Sequence, residues 1–212
     1  MYFLTPTGLT EESGADGFFR THSHLMRHYR EQILACDFFT VLTLFLKTLY
    51  VLFFIEVGSR RVHFAGCTAH PNGEWVTQQG RQMAWALEER PEPIRFLLHD
   101  NDGKFTKAFD TVFASERIKV IHTPYRAPNA NASAERWVRT VREECLAKIL
   151  VLNEGHLYRV MREYVVYYNE IRPHQGLEQQ IPEAPTPPAV RGPIRCRDVL
   201  GGIIHDYYRE AA

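Results

Sequence analysis

Residues 33–41 read ILACDFFTV, residues 49–57 read LYVLFFIEV and residues 61–69 read RVHFAGCTA. Each run is dense in valine, isoleucine, phenylalanine, tyrosine or threonine, the residue types that pleated strands favour. Gly58 and Ser59 form a turn signal between the second and third runs. The three runs therefore predict consecutive strands that form a β-meander.

Helical and strand patterns alternate after this meander. Apolar residues at helical spacing predict helices over 74–89, 106–116, 133–150 and 154–171. Short apolar runs predict strands over 94–99 and 118–123. The resulting order is β-β-β-α-β-α-β-α-α. A meander followed by alternating elements indicates an α/β fold with a mixed five-stranded sheet and helices on its faces.

The composition is that of an ordinary globular protein. Hydrophobic residues make up 45% of the 212 residues and charged residues 24%, which excludes wholesale disorder. Basic and acidic residues number 25 each, so the formal net charge is zero. Proteins that bind nucleic acid over their whole surface are strongly basic, so any such binding here must use a local patch.

Three regions are predicted along the chain. Residues 1–32 form a poorly defined leader, residues 33–180 form the core domain, and residues 181–212 form a proline-rich linker with a short amphipathic tail. The apolar stretch over 41–57 is shorter than the roughly 20 residues of a membrane-spanning helix and contains Lys47. We therefore expect buried strands there and no membrane partner.

The cysteines and the N-terminus bear on the compartment. Four cysteines lie far apart in the sequence and form no closely spaced pair. The N-terminus shows no basic stretch followed by an apolar run, which a secretory signal would need. Reduced thiols and a cytoplasmic location are expected.

Two aspartates mark the predicted sheet. Asp37 lies inside a strongly apolar strand, where an unpaired carboxylate would protonate or destabilise the fold. It either caps a strand edge or pairs with a hidden arginine, or it serves as a metal ligand or acid–base group. Asp100 follows the strand over 94–99, at the end of the strand where sites are built. Asp102, two residues on, is expected to be a turn residue bonded to local backbone.

One acid stands in a basic stretch of the chain. Glu135 is the only acid among residues 117–142 and falls in the first turn of a predicted helix, a position that also stabilises helix dipoles. Glu135, Arg139 and Arg142 share one helix face. An acid among bases on one face indicates a metal ligand beside phosphate contacts. The bases of the stretch are Arg117, Lys119, Arg126, Arg136, Arg139 and Arg142, and the apolar stripe of the helix is predicted at Val138, Val141, Cys145 and Ile149.

These residues carry a family resemblance. The pattern resembles the DDE integrase core of insertion-sequence transposases and retroviral integrases. It consists of Asp37, then Asp100 followed by Phe105, then Asn131 followed by Glu135, with 34 residues between Asp100 and Glu135. The segments ANASAERWVRTVREECL (130–146) and YNEIRPHQGL (168–177) are similar to motifs of that family. The likeness covers about residues 33–185.

The resemblance implies an RNase H-like fold and a polynucleotidyl transferase that acts in DNA integration and recombination. Asp37, Asp100 and Glu135 would be the catalytic residues and would hold two Mg²⁺ or Mn²⁺ ions. His99 and His122 would be flanking residues without a part in the chemistry. The residues expected to bind DNA are Arg126, Asn131, Arg136, Arg139 and Arg142.

Transposases of this type carry a helix-turn-helix region ahead of the core, and residues 1–32 show no such pattern. A truncated copy, or one piece of a split transposase with a separate DNA-recognition subunit, is therefore expected. A homo-oligomer is expected in action, because strand transfer joins two DNA ends. Two alternatives remain: a nuclease of the same fold that only hydrolyses, and a non-catalytic DNA-binding or oligomerising remnant. A zinc module at His22, His24, His28 and Cys36 is disfavoured because it lacks a second nearby cysteine.

Overall fold

The computed structural model describes residues 28–88, 90–123, 132–177, 179–183 and 191–210. The chain divides into two compact units, Met1–Arg30 and Glu31–Ala212. Of the first unit, only residues 28–30 are among those described. The account below concerns the second unit. The predicted DNA contacts Arg126 and Asn131, and the histidines of the disfavoured zinc module at positions 22 and 24, lie outside the described residues.

A mixed five-stranded sheet forms the centre of this unit, as the sequence predicts. The first three strands are antiparallel, whereas the fourth pairs parallel with the first and the fifth parallel with the fourth. The order across the sheet is β3-β2-β1-β4-β5. The strands are β1 (Ile33–Leu42), β2 (Thr48–Glu56), β3 (Val62–Thr68), β4 (Phe96–His99) and β5 (Lys119–His122).

Within the described residues, four helices cover both faces of the sheet, in the predicted order. They are α1 (Gly73–Leu87), α2 (Lys107–Ser115), α3 (Ala132–Glu144) and α4 (Glu154–Glu170). Two of their N-termini are set by asparagine caps. The Asn72 side chain accepts from the Trp75 N–H at 2.8 Å, and that of Asn153 accepts from the His156 N–H at 2.9 Å. Each cap contributes about 1 kcal/mol to helix stability.

Alternate residues of β1 face opposite layers of the fold. Leu34 and Cys36 are fully buried and belong to the cluster that includes Phe54 of β2 and Phe109 and Phe113 of α2. The intervening residues face the other layer, where α3 packs. Since side chains alternate along a strand, β1 separates two apolar layers, which accounts for its nearly continuous apolar sequence.

The apolar stretch over 41–57 forms the end of β1, the following turn and β2, so the strand interpretation is confirmed. Within the described part of the chain, none of the helices combines the length and apolar character needed to cross a membrane.

Helix α3 is shorter than the sequence predicts. It ends at Glu144 and a 3₁₀ turn follows over Leu146–Lys148, whereas the prediction extended the helix to residue 150. The break turns the chain so that Val151 is buried and its carbonyl accepts from the Leu44 N–H at 2.7 Å. The buried stripe also differs from the prediction, because the fully buried aromatic of α3 is Trp137 and its neighbour Val138 is only half-buried.

The C-terminal segment forms a β-hairpin. Strands β6 (Ile194–Val199) and β7 (Ile204–Arg209) pair antiparallel in a separate two-stranded sheet. Leu200, between them, is buried, and its N–H donates to the Glu163 carboxylate of α4 at 2.5 Å. The sequence suggested only a short amphipathic tail here.

Candidate active site

The register of two parallel strands aligns Asp37 with Asp100. Ile33 lies opposite Phe96 and Ala35 opposite Leu98 in the β1–β4 pair. Two residues further along both chains, that register brings Asp37 to Asp100, just past the carboxyl end of β4. Two acids that are 63 positions apart in the sequence therefore lie side by side where β4 ends, and the carboxyl ends of parallel strands are where α/β folds build sites.

Helix α3 brings Glu135 to the same region. The Trp137 ring lies 4.2 Å from the Phe53 ring and 5.6 Å from the Phe39 ring, between ring centroids. Phe53 pairs directly with Asp37 across β1 and β2, and Phe39 is two residues beyond Asp37, so both share its face of the sheet. Trp137 thus anchors the first half of α3 over the Asp37 face, with Glu135 exposed two residues before it.

The electrostatics of Asp37 reflect this convergence. Burial is the largest effect and raises the pKa of Asp37, which reaches about 6. The Phe38 N–H opposes this by donating to the Asp37 carboxylate at 2.7 Å. The charges of Asp100, Glu135 and Asp102 raise the pKa further. The three predicted site acids therefore lie near enough to repel one another.

The donor set suits a hard divalent cation. Asp37, Asp100 and Glu135 offer only carboxylate oxygens, the ligands that Mg²⁺ takes in proteins. The oxygens of these three acids do not form a closed cage. Among the described residues, the groups of three ligand atoms that lie within 4.8 Å of one another involve other side chains. Burial and two neighbouring carboxylates destabilise the charged form of Asp37, and a nearby cation would stabilise it. The residues therefore fit the metal that the resemblance implies.

Asp102 has the local role predicted for it. Its side chain accepts from the Lys104 N–H at 3.0 Å and forms an ion pair with the Lys104 ammonium. Its own N–H donates to the Asp100 carboxylate at 3.1 Å. The turn over 100–104 therefore holds the Asp100 side chain through the backbone, which stabilises the orientation of one site acid.

Comparisons with known proteins support the fold. Residues 116–182 match the integrase core domain family. The magnesium-bound catalytic core domain of HTLV-2 integrase has the same fold, with a TM-score of 0.54 at 13% identity over 72% of this chain and 93% of that one. The catalytic core domain of BIV integrase gives 0.51 at 15% identity, over 72% and 91%.

The fold is that of an integrase core. It is the RNase H-like arrangement expected from the resemblance, and that expectation is confirmed. A further match is a chain of the simian T-cell lymphotropic virus intasome in complex with the PP2A regulatory subunit B56 gamma, with a TM-score of 0.55 at 11% identity over 85% of this chain and 67% of that one. A search of curated proteins finds no sequence match to this chain.

Three of the predicted DNA contacts lie on one helix of the described fold. Arg136, Arg139 and Arg142 are all exposed on α3. Arg136 also lines a pocket of about 550 Å³ beside this helix, together with Arg60 and Arg172. Arg60 is not among the residues predicted from the sequence. It has a left-handed φ of 66° after β2 and donates to the Ser133 hydroxyl at the start of α3. Two consecutive arginines after the Gly58–Ser59 turn are the signal that could have drawn attention to it.

The second family-like segment, residues 168–177, makes mainly structural contacts. The Asn169 amide bonds both backbone groups of Val62 on β3, at 2.9 and 2.8 Å. The Arg172 guanidinium makes a forked pair with Glu144 at the end of α3, with its closest contact at 2.6 Å. His174 donates from Nε2 to the Tyr168 carbonyl at 3.0 Å. These contacts tie α4 to the sheet and to α3, the helix that carries Glu135.

Proposed function

We propose that this chain is the catalytic domain of a metal-dependent DNA strand transferase acting in DNA integration and recombination. Asp37, Asp100 and Glu135 are its catalytic carboxylates and would hold two Mg²⁺ or Mn²⁺ ions. One observation carries the proposal. The β1–β4 register and the packing of Trp137 bring three acids from distant parts of the sequence to one sheet edge. Structural packing alone gives no reason to gather three mutually repelling groups there.

The protein's own residues prepare this edge for phosphate chemistry. When bound, the two ions would activate a water or a 3′-hydroxyl and stabilise the leaving oxygen of an in-line displacement. The apolar side chains of β1 exclude water from one side of Asp37, which strengthens its interaction with any cation. The Asp102 turn orients Asp100, and Trp137 fixes the height of Glu135 above the sheet.

The exposed arginines of α3 would hold the DNA backbone beside these acids. Arg136, Arg139 and Arg142 lie within two turns of Glu135, and guanidinium groups bind phosphate in a forked geometry. Arg126 and Asn131, just before the helix, would extend this contact. A local basic surface of this kind reconciles DNA binding with a net charge of zero.

Removal of one of these arginines gives a direct test of the DNA surface. For Arg142→Ala, we expect weaker DNA binding and a salt dependence of log K that is shallower by about one unit, because one phosphate contact is lost. Fluorescence anisotropy with a short duplex at several salt concentrations measures both. Arg81→Ala, on the exposed side of α1, is the matched control and should change neither. An unchanged slope for Arg142→Ala would remove this residue from the interface.

Catalysis itself is tested with supercoiled plasmid and Mn²⁺. We expect the purified chain to convert the plasmid to nicked or joined products, and expect Asp100→Asn, prepared identically, to leave it intact. Joined products support strand transfer, whereas nicks alone would replace it by hydrolysis. Equal conversion by both proteins would show that the acid site is not responsible. If neither protein acts, the same assay with a matched pair of DNA ends tests whether the chain needs defined ends, and continued inactivity would favour a remnant.

The proposed partners follow from the reaction. Strand transfer joins two DNA ends to a target, so a homo-oligomer is the expected active form. The HTLV-2 catalytic core domain is described in dimeric and trimeric forms. We also propose that a separate subunit recognises the DNA ends.

A further inference from the structure

A second group of possible metal-ligand side chains lies at the ends of β4 and β5, beside the residue that precedes Asp100 in the chain. His99 is the last residue of β4, His122 is the last residue of β5, and Asp110 lies in the first turn of α2. His99 Nε2 is 3.0 Å from one Asp110 carboxylate oxygen, and His122 Nε2 is 3.2 Å from the other. The ligand atoms of all three residues lie within 4.8 Å of one another.

The protonation of His99 is constrained by its second nitrogen. Its Nδ1 lies 2.6 Å from the Asp100 carbonyl oxygen, which can only accept, so Nδ1 carries the proton. Nε2 faces the Asp110 carboxylate at 3.0 Å, so a cation placed at this point would be held by both groups.

The surroundings hold His99 in this orientation. Its side chain is 0% exposed, and its ring packs 4.6 Å from the Phe105 ring and edge-on to Phe109 at 5.6 Å. Bulk water therefore does not reach His99 Nε2, where it faces the carboxylate. The side chains of Asp110 and His122 are 25% and 45% exposed, which leaves a path for an ion from solvent.

We propose that His99, Asp110 and His122 bind one divalent transition-metal ion of the zinc class. Two ligand atoms each about 2.1 Å from a tetrahedral zinc lie about 3.4 Å apart, close to the observed nitrogen–oxygen distances. Three protein ligands with one position left for water form a common zinc arrangement. Imidazole ligands favour Zn²⁺ over Mg²⁺, so this site differs in chemistry from the three-carboxylate site.

The hydrogen bond from His99 Nδ1 to a backbone carbonyl is the outer-shell contact that metal-binding histidines make. Because that carbonyl belongs to Asp100, the ion would clamp the ends of β4 and β5 to α2 and hold the backbone that positions the Asp100 carboxylate. Binding of the ion is independent of the proposed strand-transfer chemistry, so the two proposals can fail separately.

Another group of possible ligands must be separated from this one. Cys196, Asp198 and His205 come together on the β6–β7 hairpin, and all three are exposed. His205 Nδ1 lies 2.8 Å from Asp198, an ordinary surface pair. The Cys196→Ser substitution removes the thiolate of this group and supplies a clean background for the measurement.

Equilibrium dialysis of the metal-free full chain, carrying Cys196→Ser, against Zn²⁺ in excess Mg²⁺ tests the site directly. The excess Mg²⁺ is included to occupy the proposed three-carboxylate site. We expect Asp110→Asn and His122→Ala each to bind one zinc ion per chain fewer than this parent, or to bind it at least about tenfold more weakly. An asparagine amide can still donate to His99 Nε2, so Asp110→Asn retains the hydrogen bond and removes only the ligand. His70→Ala, an exposed histidine outside the group, is the control.

Thermal melting gives a second readout. Zinc should raise the melting temperature of the parent and of His70→Ala, and should leave that of Asp110→Asn unchanged. Equal zinc binding by the parent, Asp110→Asn and His122→Ala would overturn the proposal, as would an equal loss in His70→Ala. A parent that binds no zinc would show that the three side chains form only a proton-mediated network.

Discussion

At the scale of single residues, Glu56 shows how a buried acid can be stabilised by its neighbours. Its side chain is 3% exposed at the end of β2. It accepts from the Ser59 hydroxyl at 2.6 Å, lies 2.9 Å from His63 Nε2 and forms an ion pair with Arg90. Burial by itself raises the pKa of Glu56, but these bonds and charges outweigh it and lower the pKa to about 2.

The lowered pKa of Glu56 predicts a pH dependence of stability. An acid whose pKa is depressed in the folded state stabilises the fold above its ordinary value of 4.5, and this contribution is lost as the pH falls towards 2. The free energy involved is on the order of 3 kcal/mol. We expect Glu56→Gln to lower the free energy of unfolding at neutral pH and to flatten its decline below about pH 4.5.

Urea unfolding at a series of pH values measures this effect. Glu116→Gln, at an exposed position after α2, serves as the surface control and should unfold as the parent does. A Glu56→Gln protein whose stability at neutral pH equals that of the parent would show that the pairs around Glu56 only offset its burial.

The sequence identified single site residues better than it identified their neighbours. An acid inside an apolar strand and an acid in a basic helix are both visible without a structure, and Asp37 and Glu135 were singled out in this way. The meeting of His99, Asp110 and His122 was not visible, because they lie on three elements and are spaced irregularly along the chain. From the sequence and the resemblance, His99 and His122 are expected only to flank the site.

At the scale of elements, one glycine sets the contact between two helices. A Cβ added to Gly80 in the middle of α1 would lie 2.9 Å from the Phe109 ring and 3.3 Å from that of Phe113, both on α2. Since real Cβ atoms almost never approach so closely, α1 and α2 could not keep this spacing with a larger residue. The cost of glycine within a helix is thus offset by close packing.

Two glycine substitutions should have different effects on stability. We expect Gly80→Ala to destabilise the protein by about 1–3 kcal/mol, because overpacking against Phe109 exceeds the gain in helix propensity. Gly155→Ala, in the first turn of α4, meets no atom nearer than 3.6 Å and should be neutral or stabilise by up to about 1 kcal/mol. Denaturant unfolding of both variants measures these changes in stability. Stabilisation by Gly80→Ala would show that the two helices can move apart at no cost in free energy.

Element boundaries were predictable where local chemistry sets them. Asn72 and Asn153 cap helices at positions that the sequence indicates, and Pro91 and Pro93 follow the end of α1. The end of α3 was missed because tertiary contacts determine it: Cys145 is buried and leaves helical geometry with no capping glycine. The hairpin over 194–209 was missed although its two runs flank a Leu-Gly-Gly turn, because few of its side chains are buried.

At the scale of the whole molecule, the sheet order determines whether a site exists. The sequence predicts a mixed sheet from the order of its elements, but beyond the meander it does not indicate which strands are neighbours. Local patterns cannot specify that β4 pairs with β1, because that pairing depends on how the helices pack on both faces. The same pairing aligns Asp37 with Asp100.

The position of β1 also has a kinetic consequence. One neighbour, β2, follows after the short connection over 43–47, whereas 53 residues separate the end of β1 from the start of β4. Closing a loop of that length costs about 3.5 kcal/mol of chain entropy, so the meander should form before β4 docks. Pulse-labelled hydrogen exchange should find β2 amides protected earlier than β4 amides; simultaneous protection would contradict this order. A nascent chain would then carry Asp37 in a formed strand while its partner acids are still unplaced, and the acidic edge would be completed only in the last steps of folding.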